Sequence, residues 1–267
     1  MTLPATETLL LLEDGPFLHV TLNRPESRNA MSLTMVNELM AVFDAIALND
    51  NCRAVILRGS NGHFCAGGDI KDMAGARMKA ASGDNHAYFQ LNRRFGEMIS
   101  RANKLPQVVI TVIEGAVLGG GFGLACISDV ALAADDAQFG LPETGLGVIP
   151  AQIAPFVVQR IGLTQARRLA LTGARFNGSE AARLGIAHEA VPAAELDARL
   201  DATLKQIRRC APHANRVTKQ LVLSVGEQPL DSLLDQAAHD FAAAVASNEG
   251  AEGTMAFVQK RLPNWAE

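Results

Sequence analysis

Residues 108 to 129, VVITVIEGAVLGGGFGLACISD, join an apolar β-like run to a turn at Glu114-Gly115, three glycines and an apolar helical stretch. From 115 to 134 the only charged side chain is Asp129, so a fold containing this segment has to bury it. Asp129, the glycine triplet and the nearby Glu114 argue against a membrane span and for a protein core. Gly119, Gly120 and Gly121 leave backbone N–H groups with no side chain in front of them, at the expected start of a helix. The positive end of the helix dipole adds to their attraction for oxygen that carries, or is about to carry, negative charge.

The rest of the chain supports a core of that kind. At 267 residues, with 48% hydrophobic and 19% charged, the composition is that of a soluble globular protein. A net charge of −4 gives no basic surface for nucleic acid. Cys52, Cys65, Cys126 and Cys210 show no C-x-x-C spacing, and the first 20 residues have no basic n-region. Together these predict reduced thiols, no signal peptide and a cytoplasmic location.

Read in order, Leu9–Leu12 and Phe17–Leu22 predict a hairpin, and Ser32 caps a helix reaching about Asn49. A buried strand over Ala54–Leu57 leads to HFCAGGDIKDM, where Gly67 and Gly68 expose backbone donors a second time. Small polar residues from Ala74 to Gly83 predict a mobile surface segment. Phe89, Phe95, Met98, Ile99 and Ala102 outline an amphipathic helix ending before Pro106. Strands are expected at Val108–Ile113, Val130–Ala134 and Ala137–Gly140, which makes an α/β architecture with at least partly parallel pairing. Beyond Pro150 the pattern is helical with no strands of its own. Residues 1–200 are expected to form the core and 201–267 a helical piece whose apolar stripes face another subunit.

Few side chains offer chemistry. The six histidines contain no i, i+4 pair, so no metal site is expected, and G-x-G-x-x-G is absent. Cys65 beside His63 reads as a thiol nucleophile or, more simply, as a small buried residue. Glu143 lies in FGLPETGLGVIP among apolar neighbours with no adjacent Lys or Arg. Its carboxylate is either a loop-bonding group or a base whose neutral form desolvation favours.

HFCAGGDIKDM, EGAVLGGGFGLACISDVALAADDAQFGLPETGLGVIP and FVQKRLPNW resemble the enoyl-CoA hydratase/isomerase (crotonase) superfamily, over a match from NRPESRNAMS to the C-terminus. The resemblance implies a crotonase-like spiral of ββα units, a C-terminal helical trimerisation region, a homo-oligomer (trimer or dimer of trimers) and an acyl-CoA substrate. It implies no separate cofactor, coenzyme A being part of the substrate. It places an oxyanion hole on the N–H groups of Gly68 and Gly120. It sets Ala66, Gly67, Asp69 and Ile70 along the CoA, and Arg28, Phe257 and Lys260 near its nucleotide. Hydratases of the best-known type carry two glutamates, and here the first position is Gly123 while the second is Glu143. A single glutamate also suits a Δ3,Δ2-enoyl-CoA isomerase. A catalytically silent CoA-binding member is a third reading, against which Glu143 and the two donor turns stand. GGGFGLACISDVA with GLPETGLGVIPAQIAPFVV is similar to a bacterial branch hydrating 3-branched glutaconyl-CoA thioesters, 3-methylglutaconyl-CoA and isohexenylglutaconyl-CoA among them.

Overall fold

Two strands, β1 (Leu9–Asp14) and β2 (Phe17–Leu22), form the antiparallel hairpin that opens the chain in the computed structural model, which describes residues 2–266. Ser32 then caps helix α1 (Leu33–Ala47), its hydroxyl oxygen accepting from Met35 N at 3.2 Å. Strand β3 (Ala54–Gly59) pairs parallel with β2. Helices α2 (Ile70–Ala81) and α3 (Ala87–Lys104) separate it from β4 (Val108–Ile113), its parallel neighbour on the other side. A short β5 (Ala116–Leu118) and helix α4 (Gly120–Ile127) follow, then β6 (Val130–Ala134) and β7 (Gln138–Gly140). After α5 (Ala154–Thr172) come β8 (Arg175–Phe176), α6 (Gly178–Arg183), β9 (Glu189–Val191) and α7 (Leu196–Arg209).

The strands form two sheets. One runs β1-β2-β3-β4-β6-β9, parallel except for the opening hairpin, and the smaller one runs β5-β7-β8. Both faces of a parallel sheet are covered, so its strands read as continuous apolar runs. Accordingly Val109, Ile110, Val112 and Ile113 of β4 are all fully buried. Helix α4 is buried from Gly121 to its end, which accounts for the stretch that lacks charge. The architecture is α/β, with one mostly parallel sheet and a second, smaller one.

Three sequence expectations are corrected. Residues 74–81 are helical, because Asp69 caps α2 through Oδ1 to Lys71 N at 2.7 Å and the alanines favour helix; the surface character holds, since Ala76 is the only buried residue of α2. Phe89 is 67% exposed, outside the buried stripe of α3. The segment beyond Pro150 does contain strands: β8 pairs with β7 and β9 with β6. Two or three residues show no period, so only their partners define them.

The chain divides into compact units at Met1–Leu200 and Asp201–Glu267. The second contains α8 (Pro212–Leu223), α9 (Leu230–Ala246) and α10 (Asn248–Val258), and Glu249 of α10 ties to the start of α8, its carboxylate accepting from His213 N and Ala214 N. Leu230, Leu234, Phe241 and Val245 form an exposed stripe on α9, whose one buried residue is Leu233.

Candidate active site

The small sheet sets the geometry of the site. β5 and β7 are parallel with Leu118 opposite Gly140, and Gly119 N donates to Gly140 O at 3.2 Å. Alongside β5, Phe64 N and Cys65 N donate to Glu114 O and Ala116 O at 2.7 and 2.8 Å, and Leu118 N donates to Cys65 O at 2.9 Å. Three short stretches, around 64–66, 116–118 and 138–140, therefore lie side by side and end together. Gly68, Gly120 and Glu143 are the residues that follow their ends. Ligands of parallel sheets gather at the carboxyl ends of strands for the same topological reason.

An aromatic cluster anchors this edge. Phe122 of α4 meets Phe139 and Phe176 edge-on, with ring centroids 6.1 Å apart in each case, and Phe139 stacks on Phe176 at 5.7 Å. The first turn is tied down as firmly. Met31 N donates to Gly67 O at 2.8 Å and Asp69 N to Met31 O at 3.0 Å, which holds Gly68 between them. Among the described residues, neither the Gly68 N–H nor the Gly120 N–H has a hydrogen-bond acceptor.

Glu143 opens a 3-10 turn after Pro142, and its backbone oxygen accepts from Val148 N at 3.0 Å. Its Oε1 lies 2.9 Å from the point a Gly119 Cβ would occupy, and Gly67 Cα lies 3.7 Å from that point. Gly119 has φ +50°, so a side chain there would be strained as well as obstructed. Glu143 Oε2 is buried without a hydrogen-bond partner among the described residues. Desolvation raises the Glu143 pKa above the ordinary carboxylate range, against a small opposing pull from its own backbone N–H. Of the apolar residues around it in the sequence, Phe139 and Leu141 are buried while Leu146, Val148 and Ile149 are exposed.

No pocket lies behind Gly123. A Cβ there would stand 2.4 Å from Ile153 Cγ2 and 2.9 Å from Ile99 Cδ1, so two isoleucines fill the space a side chain would need. Gly123→Glu is therefore expected to destabilise the fold rather than to supply a second carboxylate. Overpacking alone costs roughly 1–3 kcal/mol, before the charge is desolvated. Thermal melting checks this, and an unchanged Tm would show that the isoleucines yield freely.

The remaining candidates separate clearly. Cys65 is fully buried and its thiol is pushed up to about 11 by burial, while His63 Nδ1 accepts from Ala116 N at 3.1 Å. Both are structural. Asp69 is buried against Arg24, with Nη2 to Oδ2 at 2.7 Å. Burial alone would raise its pKa, but the Lys71 N–H and the Arg24 guanidinium outweigh that and hold it low. Its carboxylate is thus engaged in holding the turn. Ala66 and Gly67 line the same turn, Ile70 is 80% exposed at its edge, and Arg28 O accepts from Ala66 N at 3.0 Å. Phe257 and Lys260 belong to the second unit, in and just after α10.

Sequence reading passed over Asn29. It is fully buried, its Oδ1 accepts from Arg24 N and Ser60 Oγ, and its Nδ2 donates to Ser60 O and His63 O. This side chain joins the Arg28 loop to the 60–63 loop that follows β3. The left-handed φ values of Arg28 and Asn29, +51° and +57°, allow the reversal.

Two unpaired backbone donors beside a carboxylate of raised proton affinity define a site for an oxygen that becomes an anion while a proton moves. The chain belongs to the enoyl-CoA hydratase/isomerase family, whose model matches residues 14–267. Among solved structures it is similar to Pseudomonas aeruginosa AtuE, at 62% identity over 98% of this chain and 100% of that one, with a TM-score of 0.94. An enoyl-CoA hydratase/isomerase from Marinobacter aquaeolei is 56% identical over 97% of this chain and 99% of that one, with a TM-score of 0.93. The probable enoyl-CoA hydratase echA8 of Mycobacterium tuberculosis is 34% identical over 97% of this chain and 98% of its own length. No helix among the described residues is long and apolar enough to cross a membrane.

Proposed function

We propose that this enzyme adds water across the 2,3 double bond of a 3-branched glutaconyl-CoA thioester, isohexenylglutaconyl-CoA or 3-methylglutaconyl-CoA, in acyclic terpene or leucine-type catabolism. The observation that carries the reading is the single carboxylate, Glu143, set against the glycine turn with one oxygen unpartnered. Glu143 takes a proton from water as the water oxygen bonds to C3. The C2–C3 π electrons move into the thioester, and the N–H groups of Gly68 and Gly120 receive the enolate oxygen. The carboxyl group then returns its proton to C2, completing a syn addition. Ala66, Gly67, Asp69 and Ile70 line the path of the CoA arm, with Arg28 toward its nucleotide end. No further cofactor takes part.

A Δ3,Δ2 isomerase needs the same carboxylate and no second one, and the isoleucine-filled space at Gly123 is compatible with it. Mass spectrometry of the products separates the readings. Hydration makes a hydroxyacyl-CoA one water heavier than the substrate, isomerisation leaves the mass unchanged, and a silent CoA binder makes nothing.

The exposed α9 stripe of Leu230, Leu234, Phe241 and Val245 supports assembly into a trimer or a dimer of trimers. Light scattering of the purified protein is expected to give the mass of three or six chains. A fully active monomer would refute this assembly.

A further inference from the structure

Gly68 is presented to the site by a bridge between two short segments. Met31 lies opposite Gly68 in parallel pairing, its N–H donating to Gly67 O and its carbonyl accepting from Asp69 N. In such a pair the residue opposite turns its own N–H to the other side. The Gly68 N–H therefore faces a ligand only while this bridge keeps its register.

One side chain grips both halves of the bridge. Arg24 Nη1 donates to Ala30 O at 2.6 Å, beside Met31, and Nη2 meets Asp69 Oδ2 at 2.7 Å, beside Gly68. The Arg24 and Asp69 side chains are 17% and 9% exposed, so water has little access to replace these contacts. Arg24 is itself fixed through its backbone, its N–H donating to Asn29 Oδ1 and its carbonyl accepting from Asn29 N, each at 2.9 Å. A planar guanidinium offers its donors in a fixed fork that can hold two acceptors at once, whereas a lysine ammonium is a compact point charge. The other Asp69 oxygen, Oδ1, is taken by Lys71 N at the start of α2.

We propose that Arg24 is a positioning residue of the oxyanion hole: it clamps the Met31–Gly68 bridge and cancels the Asp69 charge next to the Gly68 donor. The inference rests on the reading of Gly68 and Gly120 as donors to a thioester oxygen. That oxygen gains negative charge as the enolate forms, and an uncancelled carboxylate on the adjoining residue would oppose it. Asp69 has a separate task, since its side chain caps α2. With Arg24 in place the cap is kept and its charge is not set against the reaction. Arg24 acts through Asp69 and Ala30 and does not touch the reacting atoms.

The carbonyl stretch of a bound, unreactive thioester reads the hole without relying on turnover. In infrared difference spectra of butyryl-CoA, isotope-labelled at its carbonyl, the wild-type protein should lower the frequency relative to water, because both donors polarise the C=O bond. Arg24→Gln should lose most of that downshift. This variant leaves Asp69 buried without its ion-pair partner and can fail to fold, which circular dichroism reports. Arg24→Lys, and Arg24→Gln combined with Asp69→Asn, avoid the unpaired charge. Each restores neutrality without the two-acceptor fork and should keep part of the downshift. The full wild-type downshift in both of these, or in a folded Arg24→Gln, would overturn the proposal. So would a double variant that recovers nothing over a folded Arg24→Gln. No downshift in the wild-type protein looks different from either result, and removes the oxyanion-hole reading together with the proposal.

Discussion

Glu143→Gln is expected to keep acyl-CoA binding and lose at least about 10²-fold in kcat, the lower range for general acid–base catalysis. Glutamine preserves the shape beside Gly119 but cannot take a proton from water. No neighbour can substitute at position 123, where Ile153 and Ile99 occupy the space. Steady-state kinetics with a parallel binding titration checks the result, and turnover above about a tenth of wild type, well outside that range, would assign the chemistry to another group.

The same substitution carries a pH signature. Desolvation raises the Glu143 pKa in the folded protein, so folding favours the protonated form. The contribution to stability is fully present below the unfolded-state pKa and lost as pH rises through the raised folded one. Above that window the charged carboxylate opposes folding. Glu143→Gln should therefore melt higher than wild type at neutral pH, with the gap closing in acid. Activity runs the other way, because the base works only when ionised: the acidic limb of kcat/KM should lie above the ordinary carboxylate range. A limb at the ordinary value, or a variant that melts lower at neutral pH, would contradict the buried-base assignment.

Gly120→Pro is expected to abolish measurable turnover. Proline has no N–H, and removing one oxyanion donor costs roughly 10²- to 10³-fold by itself. The first position of a helix tolerates proline, so α4 can still form. The ring meets Phe95 at a point where a Cβ already lies 3.1 Å from the aromatic edge, which adds displacement to the lost donor. Circular dichroism establishes that the variant is folded. A folded Gly120→Pro enzyme with near-normal kcat would exclude Gly120 from the oxyanion hole. Gly120→Ala provides the contrast: it keeps the N–H and should lose activity only in so far as Phe95 and Met31 must shift.

Much of the frame was legible in the chain. The hairpin, the Ser32 cap and the run from β4 into the glycine triplet follow from turn chemistry, capping and apolar continuity, which act over a few residues. Glu143 was visible too, as an acid without a nearby cation. Strands β5, β8 and β9 were not, since segments of two or three residues acquire identity only from the partner they pair with. In residues 74–81 small polar composition masks a helix, because alanine propensity and the Asp69 cap outweigh it.

What the sequence determined by itself was the chemistry available: backbone donors freed by glycine, one candidate acid, and no side chain at position 123. Covalent structure decides these before any folding. Tertiary structure decided where that chemistry meets and what surrounds it. The parallel register of residues 64–66, 116–118 and 138–140 brings two distant turns and Glu143 to one edge. The fold sets the Glu143 carboxylate against Gly119, where one of its oxygens is buried without a hydrogen-bond partner among the described residues. Isoleucines distant in sequence close the space at Gly123. Burial and proximity are sums over contacts between remote parts of the chain, and no local pattern encodes them.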